Sequence, residues 1–491
     1  MTTAPVLVPR RQVWTPPGGA FWAGVWQPVG RPLEVRDPED GALVGVVTDS
    51  TAADVAVAVD HLAARWDRVA WPLWARRAAL EETATRLTDL TETFVNLIST
   101  EGCKTIAEAR TEVARAVETL HTSARATAEL EGATVPFQDT RRGAGWTGWY
   151  SREPVGLVAA ITPFNDPLNL VAHKLGPALI AGNGVILKPA QSTPLTALAL
   201  VQILVESGVP GERLAVLAGH QAGPALVADP RIDVVSFTGG PATADRIAAG
   251  GRARRLLMEL GGNNALIACA DADPARVADA IVGGAFGTAG QSCLSVQRAF
   301  VADAIFPEVL ERVVSGARRV VAGSKRDPHS DIGPLITTAE AVRVQAWVVE
   351  AVAGGAVVRT GGTRSGAFVT PTVLTDVPVD ARIRREEVFG PIVMLEPFDT
   401  LADAIDSANA VDTGLQAGVF TRDIDTALTV ARRLRVGAVM INESSDFRID
   451  AMPFGGFKRS GIGREGIAEM IRELTEPKIV AIRAPAPDQE S

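Results

Sequence analysis

Apolar, β-prone runs alternate with helical stretches in the middle of this chain, and this alternation restricts the fold more than any other feature. The predicted strands are Val155–Ile161, Gly184–Leu187, Leu214–Leu217, Val234–Phe237 and Ala265–Ala268. The predicted helices between them are Leu168–Leu179, Pro194–Ser207 and Ala242–Ala249. Such alternation is typical of a parallel sheet that is covered by helices on both faces. The segment is therefore predicted to form a doubly wound α/β unit.

A second alternating series runs from about Asp271 to Arg464. Its predicted strands are Arg298–Val301, Val393–Leu395, Ala417–Phe420 and Ala438–Ile441, and its predicted helices are Pro274–Ala285, Phe306–Arg318 and Asp425–Leu434. Alanine-rich helices are predicted ahead of both units, at Ala52–Trp66 and Ala75–Ser99. A chain of 491 residues is too long for a single hydrophobic core. Two α/β units imply a cleft between them.

Composition narrows the class of protein. With 47% hydrophobic and 21% charged residues, the chain is able to bury its cores and is not disordered. The formal net charge of -9 disfavours a nucleic-acid partner, whose phosphates would be repelled. Prolines interrupt the N-terminal run from Met1 to Arg11, and no later stretch approaches the roughly eighteen apolar residues of a membrane span. We expect a cytoplasmic protein with a small-molecule substrate and no membrane partner.

Cys293 stands out as a candidate nucleophile. It lies in the glycine-rich run Gly287-Thr-Ala-Gly-Gln-Ser-Cys293, where a substrate is able to approach it. The alternative is that Cys293 is a small buried apolar residue, but the flanking glycines argue against burial. The chain has three cysteines, which do not suggest a disulfide framework or a multi-cysteine metal site. No metal ligands are predicted.

Polar residues follow two of the predicted strands directly. Asn165 lies in a turn that contains Pro163 and Pro167, and Lys188 ends the next predicted strand along the chain. Ligands of open α/β sheets bind at the carboxyl ends of the strands, so both side chains are candidates for a binding site. Two alternatives are about as well supported: Asn165 caps the helix after Pro167, and Lys188 is a solvated cation.

A third strand opens through glycines into a helix at Thr238-Gly239-Gly240-Pro. This geometry presents backbone N–H groups and the positive helix end to a phosphate, although the motif alone is weak evidence. The only literal GxGxxG match is Gly461–Gly466, and it does not follow an apolar strand. We therefore discount Gly461–Gly466 as a dinucleotide-binding motif.

Glu259 is a carboxylate within an apolar stretch that two glycines end, Gly261 and Gly262. Apolar surroundings raise the pKa of a carboxyl group, which suits a group that takes up and releases protons near neutrality. The alternative is an ion pair with one of the nearby arginines, which are Arg252, Arg254 and Arg255.

Seven motifs together resemble those of the aldehyde dehydrogenase superfamily, in order and at about the same spacing. They are Thr162-Pro-Phe-Asn165, Lys188-Pro-Ala, Phe237-Thr-Gly-Gly240, Glu259-Leu-Gly-Gly262, Gly290-Gln-Ser-Cys293, Glu386-Glu-Val-Phe-Gly-Pro391 and Pro453-Phe-Gly-Gly-Phe-Lys-Arg-Ser-Gly461. The resemblance extends over nearly the whole chain. It implies an enzyme that oxidises an aldehyde to a carboxylic acid with NAD or NADP.

The resemblance assigns roles residue by residue. Cys293 would attack the aldehyde, the Asn165 amide and the Cys293 backbone N–H would hold the oxyanion, and Glu259 would activate the water that hydrolyses a thioester. Glu387 would hold the nicotinamide ribose and Lys188 the adenine ribose. The implied cofactor-binding residues are Thr162, Pro163, Phe164, Lys188, Gln191, Thr238, Gly239, Gly240, Leu260, Glu387 and Phe389.

The resemblance also implies a domain plan. A Rossmann-like dinucleotide-binding domain comprises residues 1–130 and 151–262, a catalytic domain comprises residues 263–464, and a small β oligomerisation arm comprises residues 131–150 and 465–491. The segments Gly145–Arg152 and Lys478–Arg483 read as amphipathic strands outside both α/β units. Exposed strands of this kind usually pair with another subunit or are covered. A homodimer or homotetramer is expected.

Two departures from the family pattern concern the cofactor. Gln191 stands where members that prefer NAD commonly have a glutamate, so a carboxylate that would repel the 2′-phosphate of NADP is missing. Glutamine also hydrogen-bonds a ribose hydroxyl, and we expect NAD while leaving NADP open. Gly240 replaces a more usual serine, which removes one phosphate contact.

The substrate is expected to be small and polar. Positions that resemble the family's substrate tunnel carry Asp166, Asn169, His173, Ser292, Arg448 and Phe454, a mostly polar set. Arg110 lies on the helical stripe Ile106, Arg110, Val113 and Val117, and would read an anionic tail together with Arg448; the alternative is a structural pair with a nearby carboxylate.

The sequences around Cys293 and Arg448 are similar to those of the branch that handles lactaldehyde, phosphonoacetaldehyde and sulfolactaldehyde. Asp166 and Ser292 stand where a phosphonate-binding member would offer cations, which argues against a phosphonate. Two alternatives to the hydrolytic enzyme are a member that passes its thioester to coenzyme A and a catalytically silent protein of the same fold. Members of the first kind generally lack the glutamate found here at 259.

Overall fold

The computed structural model describes residues 19–484, and its first large sheet has eight strands. Five of them are parallel, and antiparallel strands flank them on both sides. In spatial order the strands are Val25–Pro28, Gly19–Trp22, Leu214–Val216, Gly184–Lys188, Leu157–Ile161, Val234–Gly239, Arg255–Leu260 and Gly461–Ile462. The central strands are buried on both faces, as their continuous apolar runs require.

Helices cover both faces of this sheet and form two separate hydrophobic clusters with it. The helices of this half of the chain are Ala52–Ala63, Leu73–Asp89, Thr91–Glu101, Ile106–Arg125, Asn169–Ala181, Pro194–Glu206, Ala222–Ala228 and Pro241–Gly250. Leu175 and Leu198 belong to one cluster, and Val59 and Leu226 belong to the other. The predicted doubly wound unit is confirmed.

The second large sheet has seven strands, and all neighbouring pairs are parallel except one at the edge. In spatial order the strands are Val357–Thr360, Thr372–Thr375, Ile392–Phe398, Val296–Ala302, Asn264–Ala268, Gln416–Phe420 and Ala438–Ile441. The helices after residue 270 are Pro274–Phe286, Phe306–Arg319, Thr338–Ala353, Arg382–Arg385, Leu401–Asn409, Ile424–Arg433 and Ile467–Glu473. The predicted second α/β unit is confirmed.

A three-stranded antiparallel sheet lies outside both units. It consists of Ala133–Thr134, Trp146–Pro154 and Thr475–Arg483, and the two long strands pair along their whole length. Side chains of Trp149 and Ile479 are exposed on it. The smaller two-stranded sheets pair Arg31–Arg36 with Leu43–Asp49, Arg364–Ser365 with Phe368–Val369, and Thr413–Gly414 with Phe457–Lys458.

Two sequence predictions need correction. The predicted helix Ala75–Ser99 is two helices, because the backbone of Leu90 leaves the helical region at φ -98° and ψ 16°. The strand that contains Ala265–Ala268 belongs to the second sheet, where it lies between Val296–Ala302 and Gln416–Phe420. A strand at the boundary of two units carries no local signal of which sheet it joins.

The terminal parts of the predicted domain plan, residues 1–18 and 485–491, lie outside the described residues. The N-terminal run from Met1 to Arg11, which prolines interrupt, is among them. The domain boundaries remain predictions. None of the helices described between residues 19 and 484 combines the length and the apolar character that a membrane crossing needs.

Candidate active site

A cavity of about 1490 Å³ opens at the carboxyl ends of the first sheet's parallel strands. Loops that precede or follow strands of the second sheet close its other side. All three predicted catalytic residues, Asn165, Glu259 and Cys293, line this cavity. The predicted cofactor residues line it as well, namely Thr162, Pro163, Phe164, Lys188, Gln191, Thr238, Gly239, Gly240, Leu260, Glu387 and Phe389.

The loop that carries Cys293 has an unusual backbone. Thr288, Ala289 and Gly290 have positive φ angles of 50°, 53° and 68° in succession. A Cβ atom on Gly290 would lie 2.1 Å from the carbonyl oxygen of Gly390, so only glycine fits there. Strained backbone of this kind persists only where neighbouring contacts hold it, and it is concentrated at functional sites.

Gln291 is one of the contacts that hold this loop. Its side-chain amide donates to the carbonyls of Thr288 and Pro334 at 3.2 Å, and its oxygen accepts from the Ile336 N–H at 2.8 Å. After the cysteine, Asn264 donates to the Cys293 carbonyl at 2.7 Å. Cys293 is therefore fixed from both sides in sequence.

The Cys293 side chain is partly exposed and lies on the cavity, as the flanking glycines predicted. Burial, with the negative charge of Glu387 as the next contribution, raises the pKa of the Cys293 thiol well above its usual range. The thiol is therefore protonated at neutral pH, and a base must take its proton when it reacts. Among residues 19–484, no backbone hydrogen bond uses the N–H of Cys293, so this donor is free.

Asn165 lies in the turn between the strand Leu157–Ile161 and the helix Asn169–Ala181. It does not cap that helix, because Glu112 accepts from the backbone N–H groups of Leu168 at 2.8 Å and of Asn169 at 3.1 Å. The Asn165 side chain is 7% exposed and makes no hydrogen bond within the described part of the chain. Its amide is therefore available to a ligand in the cavity.

Glu259 lies near the carboxyl end of the strand Arg255–Leu260, and it lines the cavity. The alternative ion pair is absent among the described residues, where Arg254 and Arg255 contact Asp233, Glu473 and Glu476 instead. The Oε2 atom of Glu259 is buried and has no hydrogen-bond partner in the described part of the chain. Burial raises the pKa of Glu259 well above its ordinary value, and the negative charge of Glu465 adds to the effect.

Glu465 was not predicted from the sequence. It accepts from Arg448 at 2.8 Å and lies 3.9 Å from the ammonium group of Lys174, with all three side chains almost fully buried. Burial disfavours its charged form, but Arg448, His173 and Lys174 outweigh burial and lower the pKa of Glu465 to about 2. Glu465 therefore stays ionised behind Glu259.

Lys188 and Gln191 line the cavity beyond the strand Gly184–Lys188. Burial lowers the pKa of Lys188 to about 8, and the side chain has no hydrogen-bond partner among residues 19–484. Lys188 is therefore not the solvated cation of the alternative interpretation. Near this end, Gly240 precedes the helix Pro241–Gly250, and within residues 19–484 no hydrogen bond uses the Ala242 N–H of its first turn, so this donor is available to an anion.

Glu387 and Phe389 approach the cavity from the loop before the strand Ile392–Phe398. Glu387 accepts from the Gly262 N–H at 3.3 Å, and a Cβ atom on Gly261 would lie 1.9 Å from its carboxylate. Burial raises the pKa of Glu387 to about 8. Phe389 has a φ of 51°, and its ring meets that of Phe164 edge to face at 5.8 Å.

Four of the predicted substrate residues line the cavity, namely Asp166, Ser292, Arg448 and Phe454. The guanidinium of Arg448 lies 3.9 Å from the centre of the Phe454 ring. Ser292 donates to Asp446 at 3.4 Å.

Arg110 does not line the cavity, contrary to the prediction. Its guanidinium is half exposed and pairs with Glu92 at 2.8 Å, which is the structural pair considered as the alternative. The buried face of the helix Ile106–Arg125 is centred on Ala109, Val113 and Ala116, so Arg110 falls at its outer edge.

Asn169 and His173 are also absent from the cavity wall that residues 19–484 form. Both side chains are fully buried behind it, since the helix Asn169–Ala181 is buried on every side. The Asn169 side chain contacts the Thr119 hydroxyl at 2.9 Å, and His173 contacts Asp450 at 3.0 Å. They support the wall instead of contacting a ligand.

Besides Glu465, the charged wall residues that the sequence analysis missed include Lys104, Arg115 and Asp446. Lys104 contacts both Asp166 and Glu112 through its ammonium group. These residues come from a helix, the turn before it and a distant loop, and they meet only through the tertiary fold. A single sequence carries no signal of such a meeting.

Comparisons with known proteins agree with this geometry. The model of the aldehyde dehydrogenase family matches residues 26–480. Aspartate-semialdehyde dehydrogenase 1 of Pseudomonas canavaninivorans is 42% identical over 453 residues, which cover 92% of this chain and 96% of that protein. The 3-sulfolactaldehyde dehydrogenase of Priestia megaterium is 39% identical over 470 residues, which cover 94% and 98% of the two chains.

Solved structures are similar over almost the whole length. Aldehyde dehydrogenase 21 from Physcomitrella patens, in complex with the reaction product succinate, has a TM-score of 0.92 and 32% identity, with 96% of this chain and all of that chain covered (100%). An NADP complex of glyceraldehyde-3-phosphate dehydrogenase from Bacillus halodurans has a TM-score of 0.92, 31% identity and coverage of 96% and 100%. An NAD+ complex of aldehyde dehydrogenase from Bacillus cereus has a TM-score of 0.91, 30% identity and coverage of 96% and 97%. The chain therefore belongs to the aldehyde dehydrogenase family and is an NAD(P)-dependent aldehyde dehydrogenase.

Proposed function

We propose that the protein oxidises a small polar aldehyde to its carboxylic acid through a thioester on Cys293. The observation that carries this proposal is the meeting of Cys293, Asn165 and Glu259 on one cavity with all the predicted cofactor residues. The cavity offers a thiol, a free amide and a buried carboxyl group with a raised pKa, and this reaction needs one of each.

The cavity wall fits a dinucleotide. The hydroxyl oxygens of Thr162 and Thr238 are buried without partners, and Lys188 makes no hydrogen bond within the described residues. Lys188 and Gln191 would hold the adenine ribose, Gly239 and Gly240 the pyrophosphate, and Glu387 the nicotinamide ribose; Pro163, Phe164, Leu260 and Phe389 would complete the wall. When bound, NAD or NADP supplies the acceptor for the hydride that leaves the aldehyde carbon.

Cys293 acts as the nucleophile in this proposal. Its thiol gives its proton to water in the cavity and its sulfur bonds to the aldehyde carbon, which places negative charge on the former carbonyl oxygen. The free Asn165 amide and the free Cys293 N–H are the donors for that oxygen, because neither is used elsewhere within residues 19–484. Donors that are fixed before the reaction stabilise charge that develops only in the transition state.

Glu259 acts as the general base for hydrolysis. After hydride loss, the acyl group remains on the Cys293 sulfur, and a water must attack the thioester carbon. Glu259 takes the proton of this water, and its raised pKa makes it a stronger base than an exposed carboxylate. The carbon–sulfur bond then breaks, the acid leaves the cavity, and the Cys293 sulfur takes up the proton that Glu259 holds. A hydrolytic base on the cavity supports water over coenzyme A as the acceptor.

We rank NAD before NADP as the cofactor. Gln191 offers a hydrogen bond to a ribose hydroxyl and no charge, and Lys188 lies on the same side of the cavity. Relatives of known structure hold either dinucleotide. We further propose that the three-stranded sheet with exposed Trp149 and Ile479 serves assembly into a homodimer or homotetramer, and that the protein acts in the cytoplasm.

The substrate is proposed to be short and to carry a charged group. The names of the relatives refer to aspartate semialdehyde and sulfolactaldehyde, and a related structure holds succinate. All are short molecules with an acid group. In this chain, charged side chains of both signs line the part of the cavity near Cys293, including Asp166 and Arg448.

A panel of short aldehydes, assayed with NAD and NADP side by side, tests this proposal. Reduced cofactor should form with at least one aldehyde, and acid should appear in equal amount. Cys293→Ala should abolish turnover, whereas Cys269→Ala should not, since Cys269 is buried away from the cavity. Turnover in Cys293→Ala, or no oxidation of any aldehyde with either dinucleotide, would refute the proposal.

A further inference from the structure

The charges around the substrate end of the cavity are unevenly paired. We define the substrate pocket as the cavity residues Lys104, Arg115, Asp166, Ser292, Asp446 and Arg448. Two of its cations have complete partners. Lys104 is shared by Glu112, at 2.8 Å, and Asp166, and Arg448 donates to Glu465 at 2.8 Å.

Within residues 19–484, Asp446 has no cationic partner. Its carboxylate is exposed on the cavity wall and accepts a hydrogen bond from Ser292 at 3.4 Å. No ammonium or guanidinium group among residues 19–484 lies within ion-pair distance of it. Asp446 is therefore an anion that a positively charged ligand group would satisfy.

Arg115 is the opposite case. The carboxylate that it approaches is Asp450, at 3.9 Å, and Asp450 already accepts from Thr119 at 2.6 Å and contacts His173 at 3.0 Å. The Arg115 guanidinium makes no hydrogen bond with any residue between 19 and 484, and it lines the cavity. Its N–H donors are therefore available to a carboxylate on a ligand, to which a guanidinium is able to donate two parallel hydrogen bonds.

The two groups act on each other through space. The positive charge of Arg115 favours the ionised form of Asp446, so the two side chains lie within electrostatic reach. Among residues 19–484, the pocket thus presents Asp446 without a cation and Arg115 without a hydrogen-bonded carboxylate, beside the neutral pair of Arg448 and Glu465. The two carboxylates that share Lys104, Glu112 and Asp166, leave that group with a net negative charge. A ligand with an acid group alone would satisfy Arg115 and leave Asp446 unpaired, with Asp166 adding to the repulsion.

We infer that the substrate pocket recognises a zwitterion, namely the semialdehyde of a short α-amino acid, with its ammonium group at Asp446 and its carboxylate at Arg115. This inference rests on the proposed oxidation at Cys293. Ser292 donates a hydrogen bond to Asp446 and is the immediate neighbour of Cys293 in the chain. A short ligand is therefore able to contact Asp446 while its aldehyde carbon lies at the Cys293 sulfur.

Four aldehydes of matched skeleton form the test. Aspartate 4-semialdehyde carries both charges, succinate semialdehyde lacks the ammonium group, 3-aminopropanal lacks the carboxylate, and propanal lacks both. The measured quantity is kcat/KM for each aldehyde with saturating dinucleotide. The wild-type enzyme should favour aspartate 4-semialdehyde over each singly charged analogue by about tenfold to a hundredfold, the usual worth of a charged hydrogen bond.

Two variants locate the recognition. Asp446→Asn should reduce the preference for aspartate 4-semialdehyde over succinate semialdehyde by about tenfold or more. Arg115→Gln should reduce the preference over 3-aminopropanal by a similar factor. Ratios of kcat/KM cancel any general loss of folded enzyme. Arg110→Gln, on the same helix but outside the cavity, and Asp406→Asn, at an exposed position of the helix Leu401–Asn409, should leave both ratios as in the wild type.

The outcomes separate the two proposals. Good oxidation of succinate semialdehyde with no advantage for aspartate 4-semialdehyde would overturn the zwitterion inference and leave the proposed function intact. Unchanged ratios in both Asp446→Asn and Arg115→Gln would overturn it as well. If no aldehyde is oxidised, the proposed function fails, and the inference fails with it. Loss of the matching preference in each variant supports the inference.

Discussion

Arg448 donates a hydrogen bond to Glu465 across 2.8 Å, and the two side chains are 6% and 1% exposed. The pair lies behind Glu259, whose pKa is raised by burial and by the negative charge of Glu465 and lowered by Lys174 and Arg448. The basicity of Glu259 thus depends on the balance between one buried anion and two buried cations. This arrangement gives Arg448 a role in setting that balance in addition to its place on the cavity wall.

Removing the negative charge of Glu465 should lower the pKa of Glu259. A general base is lost as the pH falls through its pKa, so in Glu465→Gln the acid limb of the hydrolysis rate should move to lower pH. The pH profile of kcat under conditions where hydrolysis limits turnover measures this. Glu469→Gln, whose carboxylate pairs with Arg472, is the control and should keep the wild-type profile. A shift of the acid limb to higher pH would contradict the account.

Glu259→Gln should separate acylation from hydrolysis. The amide keeps the shape of the side chain but is unable to take a proton from water, so the thioester on Cys293 should accumulate. Rapid mixing with aldehyde and dinucleotide should give about one equivalent of reduced cofactor per active site, followed by a stall. Undiminished steady turnover would remove Glu259 from the mechanism.

Asn165→Ala should slow the reaction without abolishing it. Loss of one oxyanion donor typically costs about 3 kcal/mol, or about a hundredfold to a thousandfold in kcat, and the Cys293 N–H would remain. Steady-state kinetics against Asn96→Ala, an exposed helical asparagine, provide the comparison. A change of less than about threefold in Asn165→Ala would show that its amide does not contact the developing charge.

Gln191→Glu should make the enzyme more selective for NAD. A carboxylate at this position of the cavity would repel the 2′-phosphate of NADP, and a like-charge contact of this kind costs on the order of a few kcal/mol. The KM for NADP should rise at least about tenfold, since 1.4 kcal/mol corresponds to tenfold, while the KM for NAD should change little. Gln202→Glu, on the exposed face of the helix Pro194–Glu206, is the control. Equal effects on both dinucleotides would place the adenine ribose elsewhere.

The sequence predicted the parts of the site that depend on local pattern. Asn165 and Lys188 lie at the carboxyl ends of strands that the sequence predicts from their apolar runs. Ligands of a parallel sheet bind at this edge, so predicting the strands also predicts the position of the site. Cys293 was predicted from the glycines around it, and one of them, Gly290, has a positive φ of 68°. The two α/β units followed from the alternation of strands and helices.

The parts that the sequence did not predict depend on contacts between distant residues. Lys104 meets Asp166 across 62 positions, and Glu465 meets Arg448 only because a loop folds back behind Glu259. The prediction that Arg110 lies in the substrate site was wrong. The spacing of apolar residues locates the buried face of a helix only to within about one position, and the buried face here is centred on Val113, which leaves Arg110 outside it.

The acyl enzyme is the most direct test of the account. Glu259→Gln should be mixed with dinucleotide and the aldehyde that the wild type oxidises fastest, quenched in acid and analysed by peptide mass spectrometry. The account predicts an added acyl mass on the peptide that contains Cys293, dependent on the dinucleotide and absent from the peptides of Cys103 and Cys269, which are both buried. An unmodified Cys293 in an enzyme that has formed reduced cofactor would contradict it.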